Sequence, residues 1–253
     1  MTSVFKGFAR RWVLPFADPR QLASLVLLPK FFLELKRYRS LAAGEFVAWH
    51  DAYPCLSDRV TRTPFDPHYF YQGGWLARRL SLTKPTVHVD VGSSVAMVSV
   101  LSAGVPIVFL DYRPLAVKLS GLQSVAGNVT NLPFASNSLS SLSSLHVIEH
   151  VGLGRYGDPL DSTGTRRAAG ELERVLQPGG RLFLSVPVGR ERVCFNAHRV
   201  HAPRTIQSFL PALRVHSFAF VDDAGRFSED APFEAASDLE YGCGMFEFVK
   251  AHG

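Results

Sequence analysis

The sequence predicts an α/β protein built on a doubly wound, Rossmann-like sheet, mostly parallel with an antiparallel C-terminal strand, and preceded by an N-terminal helical extension. Three observations lead there. Short β-branched runs alternate with helical patterns from residue 85 onward, and such alternation closes into a parallel sheet with helices on both faces. The first run ends in Asp90-Val91-Gly92, an acid and a glycine placed where a helix opens. Of the 253 residues, 47% are apolar and 19% charged, enough to bury a sizeable core and too little charge to stay unfolded.

The elements follow in order. From Gln21 to Arg39 the apolar side chains Leu28, Phe31, Phe32, Leu35 and Tyr38 recur at helical spacing, with Lys30, Glu34, Lys36 and Arg37 on the other face. Pro29 is expected to break this stretch into two short helices. Residues 41–68, with Pro54, Pro64 and Pro67, read as an irregular connection holding one short helix, and Tyr69 to Leu82 as a helix leading into the body. Thr86–Val91, Val105–Leu110 and Arg181–Val186 read as strands, Ser94–Ser102 and Thr165–Leu176 as helices. Gln177-Pro178-Gly179-Gly180 closes the second of these helices. Leu213–Val221 and Gly244–Lys250 predict a terminal antiparallel pair joined by a polar, hairpin-like loop. The expected division is an extension and linker over 1–68 and the main domain over 69–253.

Charge is unevenly distributed. The formal total is +5, but residues 1–40 hold eight basic residues against Asp18 and Glu34, a net +6, so residues 41–253 net −1. A near-neutral body argues against nucleic acid as a partner. A basic face beside an apolar stripe is the composition of a helix lying in a membrane interface, and equally of a cap packed on the main domain. Cys55, Cys194 and Cys243 match neither a disulfide framework nor a thiolate metal site, so no metal is expected and a reducing compartment is. No signal peptide or spanning segment is legible, and the expected location is cytoplasmic or at the inner face of a membrane.

The chemistry begins at the strand ends. Gly92 lets the backbone turn tightly and a ligand approach, and Asp111 ends the second strand where a carboxylate can accept both hydroxyls of a ribose. These stretches resemble class I S-adenosylmethionine-dependent methyltransferases. Asp90-Val91-Gly92-Ser93-Ser94 is similar to their first motif, and Asp111, in Phe109-Leu110-Asp111-Tyr112-Arg113, matches the ribose-binding acid. Gly127-Asn128-Val129-Thr130-Asn131-Leu132-Pro133-Phe134, followed by Asn137-Ser138-Leu139, resembles the segment that cups the adenine. Leu145 to Val151 resembles the end of the fourth strand, and Leu176 to Leu182 the turn before the fifth. Gly152 to Pro159 and Phe195 to Arg199 resemble a poorly characterised branch of that superfamily, a domain family of unknown function.

The resemblance implies S-adenosylmethionine as cofactor, held by Asp90, Gly92, Ser94, Asp111, Tyr112, Asn128, Val129 and His146. It implies methyl transfer to an oxygen or nitrogen of a small polar, glycan-like or lipid-linked acceptor. Several departures keep open a methyltransferase-like binding domain without turnover. Ser94 and Ala96 replace the usual second and third glycines, and Asn128 stands where an acid commonly meets the adenine amino group, its amide oxygen still able to accept. A serine-rich run, Ser138 to Ser144, replaces an apolar fourth strand and is expected to weaken packing.

Two competing motifs are set aside. His146-Val147-Ile148-Glu149-His150 matches H-x-x-E-H, but that zinc arrangement needs a helix, and a strand precedes it while Gly152 and Gly154 follow. Gly152-Leu153-Gly154-Arg155-Tyr156-Gly157 spells G-x-G-x-x-G, yet Asp158-Pro159 follows where a helix must open. The segment Glu149 to Gly164 reads instead as a mobile cover at the carboxyl edge of the sheet. His150, Arg155, Tyr156, Asp158, Asn196, His198 and Arg199 are then expected to converge from the loops after the fourth and fifth strands. His150 or His198 is the candidate base, with Arg199 and Arg155 orienting a polar or anionic acceptor. His68 and Tyr69 either close over the cofactor or lie at the surface.

Overall fold

A computed structural model describes residues 23–41 and 48–251. The chain divides into two compact units, Met1–Pro64 and Phe65–Gly253. In the first, a 3-10 turn over Leu25–Leu27 leads into helix α1, Leu28–Leu41, and a second 3-10 turn covers Trp49–Asp51. Pro29 sits in the first turn of α1, where its missing N–H removes no bond, so the helix is not cut in two as the proline suggested. Arg39 lies over the Trp49 ring at 4.2 Å. The expected basic side chains Lys6, Arg10, Arg11 and Arg20 lie outside the described residues.

The second unit opens on helix α2, Pro67–Thr83, two residues earlier than the apolar pattern predicts. Asp66 caps it, accepting from the backbone N–H groups of His68 and Tyr69, and Pro67 fits the first turn. Strand β1, His88–Val91, is buried throughout; helix α3, Val95–Leu101, and strand β2, Ile107–Asp111, follow. Next come β3, Leu122–Ala126; β4, Leu139–Leu145; helix α4, Gly164–Val175; and β5, Leu176–Val188. A two-stranded ribbon, β6 over Arg192–Cys194 and β7 over His198–Val200, precedes the short helix α5, Pro203–Ser208. The chain ends in β8, Leu213–Val221; β9, Phe227–Ser228; and β10, Gly242–Lys250.

The strand order is β3-β2-β1-β4-β5-β10-β8-β9. Strands β1 to β5 are parallel, with Asp90 opposite Phe109 and Ser143, while β10 runs antiparallel between β5 and β8. This is the mostly parallel, doubly wound sheet that the sequence predicts. Two expectations are corrected. The run Gln177-Pro178-Gly179-Gly180 is not a free turn but an irregularity inside β5, where pairing with β4 jumps from Leu139↔Leu176 to Ser141↔Arg181. The link from β8 to β10 is no hairpin, because it carries β9 and a 3-10 turn, Phe233–Ala236.

Two apolar clusters cover the sheet. One gathers Val89, Val91, Leu110, Leu142, Leu172, Leu184 and Phe246; the other gathers Trp75, Leu76, Val98, Phe109, Leu145, Phe183 and Met245. The serine-rich strand β4 is not a weak point. His88 Nε2–H donates to Ser143 Oγ at 2.8 Å, and the Ser143 hydroxyl donates to Asp90. The Ser141 hydroxyl donates to His88 Nδ1 at 2.7 Å, and the Ser144 hydroxyl to Val91 O at 3.1 Å. Every hydroxyl placed against β1 thus satisfies a buried polar atom, which an apolar strand would leave unpaired.

Candidate active-site cleft

Parallel strands put their carboxyl ends on one edge of the sheet, where the chain leaves through loops whose backbone groups are not used in the ladder. At that edge a cleft is lined by Gly92, Asp111, Tyr112, Gly127, Asn128, Val129, His146, Val147, His150, Tyr156 and Asp158, among others. Gly92 has φ +71°, and a Cβ there would stand 3.1 Å from Val147 Cγ1 and 3.7 Å from Asp111 Oδ2. A side chain would fill the space beside the carboxylate. Asp111 accepts the Arg113 N–H through Oδ1 at 2.7 Å, which leaves Oδ2 on the glycine side. At Gly127 a Cβ would meet Leu110 Cδ1 at 2.7 Å, so only glycine lets the chain turn from β3 toward the cleft.

Six of the eight expected cofactor residues line this cleft: Gly92, Asp111, Tyr112, Asn128, Val129 and His146. Asp90 and Ser94 do not. Asp90 is fully buried behind the loop, where Oδ1 accepts the Ser93 N–H at 3.1 Å and Oδ2 accepts from Ser143. Burial pushes its carboxyl up to about 6. Ser94 precedes α3 without making a side-chain cap, so its part in the motif is backbone only. Asn128 lines the cleft, but its amide oxygen accepts both the N–H and the hydroxyl of Thr130, each at 2.9 Å. A carbonyl oxygen has two lone pairs, so the amide presents its NH₂ side to a ligand and not the acceptor expected for an adenine amino group.

The expected catalytic group separates in space. His150 lines the cleft from the 3-10 turn Ile148–His150, and its Nδ1–H donates to Ala197 O at 2.5 Å. That bond fixes the tautomer and leaves Nε2 as the basic nitrogen. Burial lowers the His150 pKa below the usual histidine value. Arg155 donates to the same carbonyl at 3.2 Å and lies over Tyr156. His198 does not line the cleft; its ring packs on Tyr241 at 4.8 Å, and burial lowers it to about 4. Asn196 reaches Leu153 O at 3.4 Å and also lies outside the cleft.

Arg199 requires the firmest correction. It is 5% exposed, and its guanidinium donates to Val151 O, to Asp161 O at 3.0 Å and to Thr165 Oγ1 at 3.2 Å. It staples the loop after β4 and cannot also orient an acceptor. That loop is no freely mobile cover. Gly152 N–H donates to Asp158 Oδ2 at 2.6 Å, Asp161 N–H donates to Gly152 O at 3.0 Å, and Tyr156 N–H donates to Asp158 Oδ1. Gly152 has φ +80°, and a Cβ there would collide with the Asp161 carbonyl.

A second cluster lies beside His150, and most of it is not legible in the sequence. His146, with φ +56°, follows β4 directly; its Nδ1 is 2.8 Å from Glu149 Oε1 and its ring stacks on His68 and Tyr69. Burial alone would lower His146, but the adjacent Cys243 and Glu149 outweigh it and hold the pKa well above the ordinary value. Glu149 is likewise raised by burial, yet His146 draws it net below the usual carboxylate range. Cys243 and Tyr241 come from β10 and its approach, about a hundred residues away in sequence, and no local pattern marks them. The two histidines of H-x-x-E-H do not share a helix face, since His150 lies in the 3-10 turn and His146 precedes it in a left-handed conformation.

The fold is that of class I S-adenosylmethionine-dependent methyltransferases. The [4+2]-cyclase SpnF superimposes with a TM-score of 0.55 at 14% identity, over 78% of this chain and 86% of that one. The N-methyltransferase NodS of Bradyrhizobium japonicum WM9, solved with S-adenosyl-L-homocysteine, superimposes with a TM-score of 0.52 at 17% identity, over 74% and 89%. The YcgJ protein of Bacillus subtilis gives 0.50 at 14% identity, over 73% of this chain and all of that one. Residues 115–236 match the model of a family described as Caenorhabditis protein of unknown function, DUF268. No curated protein matches the sequence.

Proposed function

We propose that this chain is an S-adenosylmethionine-dependent methyltransferase acting on an oxygen or nitrogen of a small polar, glycan-like or lipid-linked acceptor. The observation that carries the reading is the joint geometry of Gly92 and Asp111: a turn that tolerates no side chain, directly against a strand-end carboxylate with one oxygen turned toward it. Gly127 and Asn128 continue the same wall. The residues fit an adenosyl ligand, with Asp111 positioned for ribose hydroxyls and the Asn128 NH₂ for a ring nitrogen. When bound, S-adenosylmethionine supplies an electrophilic methyl on a sulfonium.

The chain's own contribution is to position the acceptor and take its proton. His150 is the base in this reading, because Nδ1–H is held by Ala197 O and burial keeps the ring neutral at pH 7. Arg155 donates to the same carbonyl and so helps to fix the acceptor of the His150 bond. Calorimetry with S-adenosyl-L-homocysteine tests the reading. Wild type should bind, Asp111→Asn should weaken binding at least tenfold, and His150→Ala should keep binding within about threefold while methyl incorporation into an acceptor panel is lost. No binding by wild type at high micromolar ligand would refute it.

A second reading is a binding domain without turnover, and the saturated Asn128 oxygen favours it. SpnF, a cyclase, also supports it, because the fold alone does not dictate methyl transfer. It predicts ligand binding with no incorporation into any acceptor. A membrane surface is the proposed partner of residues 1–40. Support comes from α1, which buries none of its residues and exposes Phe32, Leu33 and Leu41 beside its basic side chains. Among the described residues no helix is long and apolar enough to cross a membrane.

A further inference from the structure

We propose that His68, His146 and Cys243 form a three-ligand site for a zinc ion beside the cleft that His146 lines. One donor atom from each of the three residues lies within 4.8 Å of the other two. Zinc–nitrogen bonds of about 2.1 Å and a zinc–sulfur bond of about 2.3 Å set tetrahedral donors roughly 3.3–3.6 Å apart. Closing the remaining gap takes about 1 Å of movement. His68 is the least enclosed of the three, half-buried in the first turn of α2, and its ring, which lies nearly parallel to that of His146, turns as well as shifts to bring its nitrogen to the ion.

Three independent features point to a cation. The His146 side chain is 6% exposed, and its Nε2 is buried with no hydrogen-bond partner. An unpaired buried nitrogen of this kind is rare in a folded protein. Its other nitrogen, Nδ1, meets the fully buried Glu149 carboxylate at 2.8 Å. A carboxylate behind a histidine is the usual support of a metal-ligating imidazole, fixing the tautomer so that Nε2 points its lone pair at the ion. The donor set, two imidazoles and a thiolate, suits zinc and excludes calcium and magnesium, which take oxygen ligands.

The site differs from the H-x-x-E-H arrangement, for which His150 would be a ligand and Glu149 a base. Here Glu149 supports one ligand from behind, and His150, whose Nδ1 is held by Ala197 O, is not a member of the cluster. Three protein ligands leave the fourth tetrahedral position to a water or a substrate atom, the pattern of a catalytic zinc. Its use, holding a donor atom of the acceptor beside the transferred group, rests on the methyltransferase reading, whereas occupancy does not.

Zinc is measured by elemental analysis on the full-length protein purified without chelators, then titrated into protein stripped with EDTA. The expected result is about one equivalent in wild type and in His150→Ala, and a loss of at least tenfold in occupancy in His146→Ala and Cys243→Ala. Cobalt replacement keeps the test sound if those variants misfold. A thiolate-to-cobalt charge-transfer band should appear in wild type and persist in Cys55→Ser/Cys194→Ser, which removes both thiols outside the cluster. Substoichiometric zinc that titration cannot raise, occupancy unchanged in folded His146→Ala, or a cobalt complex without that band would overturn the site. Calorimetry with S-adenosyl-L-homocysteine on the same preparations separates the two questions: zinc without S-adenosyl-L-homocysteine binding refutes the methyltransferase reading alone, and the converse refutes the metal alone.

Discussion

Gly92 and Asp111 are legible because each sits at a strand end, where one residue type does one backbone or charge task. Gly92→Ala should destabilise the protein by about 1–2 kcal/mol, the left-handed φ of +71° adding to the contact with Val147. A Tm lower by roughly 2–8 °C, together with lost S-adenosyl-L-homocysteine binding, is the expected outcome; unchanged affinity would remove the turn from the ligand wall. Asn128 is read correctly as lining the cleft and incorrectly as an acceptor, and Arg199 correctly as lying near the site and incorrectly as orienting an acceptor. In both cases a neighbour takes the group first: Thr130 for the amide oxygen, and the Val151 and Asp161 carbonyls for the guanidinium. Arg199→Met should therefore act through the loop. Limited proteolysis between Gly154 and Leu160 should accelerate at least severalfold, and ligand affinity should fall less than in Asp111→Asn; intact resistance would contradict the staple.

Strands β1, β2 and β5 are legible as elements because apolar β-branched runs are visible locally, while β4 is misjudged because its serines answer partners fifty residues away. The network they complete has a measurable signature. Burial lowers the His88 pKa to about 3, below the 6.5 of an exposed histidine, so as pH falls from 6.5 the unfolded chain binds that proton first and stability is lost. Asp90 works in the opposite sense. Its folded pKa of about 6 exceeds 3.8, so the native state takes up a proton first between pH 6 and 3.8, and stability is gained there as pH falls. Each contributes up to about 1.4 kcal/mol per pH unit within its window, and between pH 6 and 4 they offset. His68 and His198, both lowered to about 4, add to the loss in acid. Tm should thus decline from pH 6.5 to 4, more steeply in Asp90→Asn and less steeply in His88→Asn. The comparison is of slopes, since both variants lower Tm outright, and parallel slopes would show that the two groups do not titrate in opposition.

The sheet order follows from strand and helix alternation, a whole-molecule pattern that survives local errors such as the start of α2. The cluster of His68, His146 and Cys243 does not follow, because three residues from the start of α2, the end of β4 and β10 meet only once the sheet is assembled. Charge is the other whole-molecule property, and it has a consequence for residues 1–40, which carry a net +6 against −1 for the rest. Attraction to an anionic leaflet contributes about 1 kcal/mol for each Lys or Arg near the surface. Lys30, Lys36 and Arg37 are exposed on α1, and Phe32 and Leu33 are exposed with them. Replacing the three cations with Gln should weaken sedimentation with phosphatidylserine vesicles by about 100-fold, the equivalent of about 3 kcal/mol, while leaving S-adenosyl-L-homocysteine binding unchanged. Raising ionic strength should reproduce the loss in wild type, because a shorter Debye length screens the same charges. Equal partitioning of wild type and triple variant would mean that the apolar side chains of α1 serve a protein contact and that the +6 has no anionic surface to meet.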